Sequence, residues 1–228
     1  MTASDSPIDS RQITDQVRDA GMFLQEAFRT FRETGSITPS AAPLCNALTR
    51  YVRERDPADA PLEILEAGAG TGPVSVAIAA SMQEKDSLAL VESNGRFVSR
   101  LEEVVATDPA FATVADRTSI HHCLVTELPP ERNFDLIVSG LPFANFEKSE
   151  VRAILEYYFD VLRPGGHVSF YGYLGTKQFR AVFGRRDEYL RQAQSTWVVE
   201  EYIARYGVDR ERIAANVPPA WVHHLRKP

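Results

Sequence analysis

The chain has 228 residues, 44% of them hydrophobic and 25% charged, an ordinary globular composition with enough apolar material to bury one sizeable core. The formal net charge of −6 argues against binding long nucleic acid tracts, which depends on many cationic phosphate contacts. No run approaches the roughly 18 apolar residues of a membrane span, and Met1 to Ser10 is polar and acidic, unlike a signal peptide, so a cytoplasmic protein is expected. The two cysteines, Cys45 and Cys123, fall in segments that read as regular structure, so free thiols are expected, with no disulfide framework and no metal site.

Residues 1–13 read as disordered. Val17, Ala20, Leu24, Ala27, Phe28 and Phe31 then recur at helical spacing, with Arg18, Gln25, Arg29 and Arg32 on the other side, which predicts an amphipathic helix over 17–31. Thr34-Gly35-Ser36-Ile37-Thr38-Pro39-Ser40 breaks it. Ser40 is placed to cap a second helix running to about Arg55. Asp56 to Pro61 reads as a linker, so the chain divides into a helical extension over 1–60 and a main domain over 61–228. Strand patterns at Leu62–Glu66, Ser87–Glu92, Ser119–Leu124, Phe134–Ser139 and His167–Tyr173 are interleaved with helical ones at Pro73–Met82, Arg96–Thr107 and Ser149–Leu162. That alternation implies crossover connections and a Rossmann-like, doubly wound, mostly parallel α/β sheet. Gln192–Tyr206 reads as a last helix. Arg212–Ala215 and Ala220–Leu225, flanking Asn216-Val217-Pro218-Pro219, read as a closing antiparallel hairpin. From Leu174 onward ten Lys or Arg stand against six acids, although the chain as a whole is acidic.

In an open sheet of this kind the ligand lies beyond the carboxyl ends of the strands, where the strand order reverses. The run Glu66-Ala67-Gly68-Ala69-Gly70-Thr71-Gly72 follows the first strand and so occupies that point. A dinucleotide loop would be spaced G-x-G-x-x-G to bring amides to a pyrophosphate. The spacing here is G-x-G-x-G, with Glu66 just before it, and a carboxylate there would repel a pyrophosphate but suit a cationic ligand. The run resembles motif I of the class I methyltransferases, which bind S-adenosylmethionine. Glu92, followed by Ser93, ends the second strand twenty positions beyond Gly72, where an acid can accept both ribose hydroxyls. The cofactor set is therefore Glu66, Gly68, Ala69, Gly70, Thr71, Gly72, Glu92, Ser93 and Ser139. An acid after the third strand, which would meet the adenine amine, is missing: the region reads His121-His122-Cys123-Leu124. His121-His122 and His223-His224 read as structural, because neighbours in a strand face opposite ways.

Ser139-Gly140-Leu141-Pro142-Phe143 falls where amino-methylating enzymes carry Asn or Asp, then Pro-Pro or Leu-Pro, then an aromatic; Ser139-Gly140 replaces the leading amide or acid. Together with the early helix, the glycine run, Leu162-Arg163-Pro164-Gly165-Gly166, Phe170-Tyr171-Gly172-Tyr173 and Asn216-Val217-Pro218-Pro219-Ala220, this loop resembles the bacterial phospholipid N-methyltransferases. Members of that family methylate phosphatidylethanolamine or ornithine lipid, and the likeness runs from about Phe23 to Leu225.

The resemblance implies a monomeric N-methyltransferase of an aminolipid headgroup, able to methylate in succession and held peripherally at the inner membrane. It implies that the Phe- and Arg-rich N-terminal helix can lie at an anionic headgroup boundary, with ordinary packing against the sheet as the alternative; Lys177, Arg180, Arg185, Arg186 and Arg191 could add attraction but read first as a solvated face. Ser139 to Phe143, with Tyr171 and Tyr173, form the expected acceptor side; the two tyrosines share a strand face and can stabilise an ammonium through their rings. No residue stands out as an obligatory base. An rRNA adenine N6-dimethyltransferase shares motif I and an Asn-Leu-Pro-Phe-like loop, but the acidic balance and the lack of a basic RNA-binding domain argue against it. A cofactor-binding protein without activity is the remaining alternative.

Overall fold

The computed structural model describes residues 42–56, 58–129, 133–173, 186–214 and 219–228, without the side chains of 173 and 186–194. The amphipathic helix expected at 17–31, the break at Thr34 to Ser40, the basic residues Lys177, Arg180 and Arg185, and Asn216 to Pro218 lie outside the described residues. So do the side chains of Tyr173, Arg186 and Arg191.

Seven strands form one sheet in the order β3-β2-β1-β4-β5-β7-β6. They are β1 (Glu63–Ala67), β2 (Ser87–Glu92), β3 (Thr118–His122), β4 (Phe134–Ser139), β5 (Leu162–Tyr173), β6 (Gly207–Ile213) and β7 (Ala220–Arg226). The first five run parallel, and β7 adds antiparallel to β5 and β6. The strand order reverses between β1 and β4, which puts the carboxyl ends of both at the switch point of a doubly wound sheet.

Helices cover both faces because alternate residues on the buried strands are apolar in both directions. On one face Ile64, Leu88, Leu90, Leu136, Val138 and Val222 pack under α1 (Ala42–Leu48), the single-turn α2 (Arg50–Arg53), α3 (Pro73–Ala79) and α4 (Gly95–Thr107). On the other, Leu65, Ala67, Ile137, Val168 and Phe170 pack under α5 (Lys148–Val161) and α6 (Arg186–Tyr206). In α4 the buried positions Val98, Leu101 and Val104 recur at every third residue, and Asn94 caps the helix by accepting the Arg96 N–H at 3.0 Å. Leu44, Leu48 and Val52 belong to the same core as Ile64, and Arg55 pairs with the buried Asp86, which also accepts the Leu62 and Gln83 N–H groups.

Several boundaries differ from the sequence expectation, three of them for evident physical reasons. The helix expected to reach Arg55 is interrupted at Thr49, whose hydroxyl and N–H both reach the Cys45 carbonyl, the local competition that threonine offers to a helix. β5 starts at Leu162 rather than His167: Leu162 pairs with Phe134, the Arg163 to Gly166 stretch bulges out, and pairing resumes at His167 opposite Leu136. β6 begins at Gly207 instead of Arg212 because it is an edge strand with an almost wholly exposed, charged run, and no alternating apolar pattern marks it.

Candidate active site

The glycine loop leaves β1 with Gly68 at φ +72°, Gly70 at +59° and Gly72 at +98°, left-handed conformations that non-glycine residues rarely adopt. Two of the three also answer to protein neighbours. A Cβ on Gly68 would come within 2.5 Å of Leu141 Cδ2, and one on Gly72 would press on Leu101 and Val104 of α4. The loop is tied to β2 by the Gly68 and Ala69 N–H groups, which both donate to the Val91 carbonyl, and by the Gly70 N–H, which donates to Glu92 at 2.8 Å. The Thr71 hydroxyl in the middle of the loop is buried and has no hydrogen-bond partner among the described residues.

Glu66 and Glu92 sit beneath and beside this loop in different states. Glu66 is 1% exposed, and the Ser75 hydroxyl of α3 donates to it at 2.5 Å. Burial pushes its carboxyl up to about 8; the Ser75 hydrogen bond opposes the shift and the charge of Glu92 adds to it. Glu92 accepts the Gly70 N–H through one oxygen and the Asn94 N–H through the other, both at 2.8 Å. Burial raises its carboxyl as well, against the pull of the amides of Asn94, Gly70 and Ser93. A carboxylate has about four lone-pair directions, so with three amides drawn to it Glu92 keeps capacity for one further donor.

Across the switch point, Ser139 ends β4 opposite Ala67, and the Gly140 N–H donates to the Ala67 carbonyl at 2.8 Å. The contact is too close for any side chain: a Cβ on Gly140 would lie 2.6 Å from the Gly68 oxygen. Ser139 is fully buried, and the Tyr158 hydroxyl of α5 donates to it at 2.9 Å. Leu141 and Pro142 are half-buried at the rim, while Phe143 turns into the core edge-on to Phe170, with centroids 5.4 Å apart. Tyr171 is buried on the opposite face of the sheet, its hydroxyl 3.5 Å from the Gly140 carbonyl. The structure thus brings Glu66, Gly68 to Gly72, Glu92 and Ser139 to Leu141 together at one end of the sheet and sets Phe143 behind them.

The histidine pairs split between faces. His121 meets Ser119 at 3.0 Å and His122 meets the Ser93 carbonyl at 3.2 Å, so His122 closes the outer side of the Glu92 turn. His224 bridges Ser169 and Glu211 in the interior, and His223 stacks near Phe170. Sequence reasoning missed Ser75 and Tyr158. Each is a polar residue on an otherwise apolar helical stripe, Pro73, Val74 and Ile78 in one case and Val151, Ile154, Leu155 and Val161 in the other, and that mismatch was their available signal. A separate cleft of 520 Å³ at the amino ends of the strands, lined by Glu63, Ser87, Arg117, Thr118 and Arg163, shares no residue with this site.

Residues 64–166 match the methyltransferase-domain family. Over 153 residues the chain is 27% identical to an ornithine lipid N-methyltransferase of Singulisphaera acidiphila, covering 66% of this chain and 76% of the relative. Among solved structures, the N-methyltransferase NodS from Bradyrhizobium japonicum aligns with a TM-score of 0.60 at 15% identity, covering 84% of this chain and 98% of that one. The O-methyltransferase TomG from Streptomyces achromogenes, in complex with S-adenosylmethionine, gives 0.62 at 15% identity, covering 97% and 100%. The site fits that cofactor: Glu92 at the end of β2 keeps a lone-pair direction for a ribose hydroxyl, the glycine loop closes on the switch point, and the buried Thr71 hydroxyl has no partner among the described residues. The chain carries a methyltransferase domain on a Rossmann-like sheet and is an S-adenosylmethionine-dependent methyltransferase.

Proposed function

We propose that the acceptor is the amine headgroup of a membrane lipid, phosphatidylethanolamine or ornithine lipid, methylated once or in succession. The observation that carries this reading is the likeness to an ornithine lipid N-methyltransferase over a stretch of 153 residues. The close abutment of the Ser139–Phe143 loop on Gly68 supports it, because an acceptor held by that loop meets the donor at the switch point.

When bound, S-adenosylmethionine supplies an electrophilic methyl carbon on a sulfonium. The rest is positioning by the chain. Glu66 and Glu92 hold the donor, and the backbone around Gly140 and Leu141 holds the amine in line with the methyl group, an arrangement that can supply on the order of 7–11 kcal/mol. The amine attacks as the neutral base, so an ammonium headgroup first gives up its proton to solvent.

In this reading the chain ahead of α1 faces the membrane, since Leu44, Leu48 and Val52 are already packed in the core of the sheet, and the protein associates peripherally with an anionic surface. Trp197 of α6, 55% exposed, has the Lys148 ammonium at the start of α5 4.9 Å from its ring, and α6 packs on the Phe143–Asn145 turn, which supports that orientation. Among the described residues no helix is long and apolar enough to cross a membrane.

The test is expression in a bacterium without methylated lipids, supplied with both phosphatidylethanolamine and ornithine lipid, followed by mass spectrometry of the extract. Mono-, di- or trimethylated aminolipids are expected. An unchanged lipid profile from a chain that still binds the donor by calorimetry overturns the lipid reading and leaves the methyltransferase assignment in place.

A further inference from the structure

We propose that Tyr158 is a positioning residue for methyl transfer, acting through Ser139 on the Gly140–Leu141 backbone. The inference rests on the reading of Ser139 to Phe143 as the acceptor loop, and it goes beyond that reading by assigning a role to a helix residue that no motif marks.

Tyr158 lies in the third turn of α5 and is fully buried. Its neighbours on that stripe, Val151, Ile154, Leu155 and Val161, are all aliphatic. A phenol in such a place costs stability unless its hydroxyl is bonded. Among the described residues that hydroxyl has one hydrogen-bond partner, Ser139 Oγ at 2.9 Å. Burial holds the phenol far above its usual range, so it stays protonated and remains a donor. Ser139 Oγ is then the acceptor, and the Leu141 N–H points at the same oxygen from 3.4 Å. A serine hydroxyl has two lone pairs, and here they take one donor from the helix and one from the loop backbone.

The loop is gripped from the other face as well. The Tyr171 hydroxyl reaches the Gly140 carbonyl at 3.5 Å, and the Gly140 N–H is held by Ala67. Two tyrosines on opposite faces of the sheet, one through Ser139 and one directly, therefore hold the N–H and the carbonyl of the same Gly140–Leu141 peptide. This is the peptide that touches Gly68 of the donor loop, with no space for even a methyl group between Gly140 and the Gly68 oxygen. A shift of the Ser139 end must move the acceptor loop relative to the donor loop, and in-line transfer is sensitive to displacements of that size. A tyrosine that only packed would be equally served by phenylalanine.

The experiment compares the full-length wild type with Tyr158→Phe, Ser139→Ala and the double variant, using donor labelled in the methyl group and whole-cell extract partitioned between organic and aqueous phases. Tyr158→Phe is expected to lower the maximal rate about tenfold, with donor affinity by calorimetry changed less than about twofold, because the loss is one of alignment and not of binding. The double variant is expected to be no slower than Ser139→Ala, as residues that act in series are not additive. A Tyr158→Phe enzyme at full rate, with only its melting temperature lowered, overturns the proposal, and so does full additivity. Label confined to the aqueous phase overturns the lipid reading alone, since the same variants are then compared on the aqueous product.

Discussion

The donor and acceptor halves of the site are built in opposite ways. Apart from Ser139, which both halves share, everything assigned to the donor lies between Glu66 and Ser93, on two adjacent parallel strands and the loops at their ends, and the glycine loop is tied down by the Gly68, Ala69 and Gly70 amides. The acceptor half draws Ser139 from β4, Tyr158 from α5, and Phe170 and Tyr171 from β5, and its polar groups are buried behind the half-exposed Leu141 and Pro142. A short, self-bonded stretch of chain can carry its chemistry as a motif. A surface assembled from distant elements can be retuned at any one of them, which suits the half that must distinguish among substrates.

The largest effect should come from breaking the donor half at Gly70, the middle glycine of its loop. Gly70→Val places a β-branched residue at φ +59° and puts a side chain where the Gly70 amide meets Glu92. Backbone strain alone should weaken donor binding by about 10–100-fold, and calorimetry reads it. Unaltered affinity would detach the loop from the donor.

A second test uses the charge state of Glu66. Its folded value of about 8 lies above the ordinary 4.5, so between those pH values the folded chain keeps a proton that the unfolded chain releases. The stability it contributes is whole below pH 4.5 and is lost as pH rises toward 8, with a limiting slope of about 1.4 kcal/mol per pH unit. Glu66→Gln should flatten that slope in denaturant titrations across the window. The same slope in both proteins would show that Glu66 is ionised throughout.

The smallest effect belongs to the acceptor half and separates packing from substrate contact. Phe143→Leu removes an edge-on pair with Phe170 and should cost about 0.5–1.5 kcal/mol of stability, leaving donor affinity and acceptor KM unchanged. A raised acceptor KM at unchanged stability would instead put the Phe143 ring against the substrate.

Legibility in the sequence follows the same division. The parallel strands were readable because buried strands carry dense apolar runs bounded by turns, as in Leu88 to Val91 and Phe134 to Val138. The glycine loop was readable because positive φ at Gly68, Gly70 and Gly72 restricts residue type at fixed spacing. β6 was cut short in the reading because an exposed edge strand needs no apolar alternation. The break at Thr49 was hidden because it depends on one hydroxyl reaching one carbonyl. Tyr158 and Ser75 went unnoticed because a hydrogen bond from a helix to a strand end leaves only an odd polar residue in an apolar stripe.

The sequence by itself determined the sheet and the donor and pointed to the switch point as the place proposed for it, because backbone conformation and hydrophobic period are local constraints on residue type. Only the tertiary structure decided what surrounds the acceptor loop. It turned Phe143 into the core, buried Ser139 under a tyrosine from another helix and set Gly140 against Gly68. Those relations hold between residues far apart in the chain, where side-chain direction and burial follow from how the elements pack and from no pattern along any one of them.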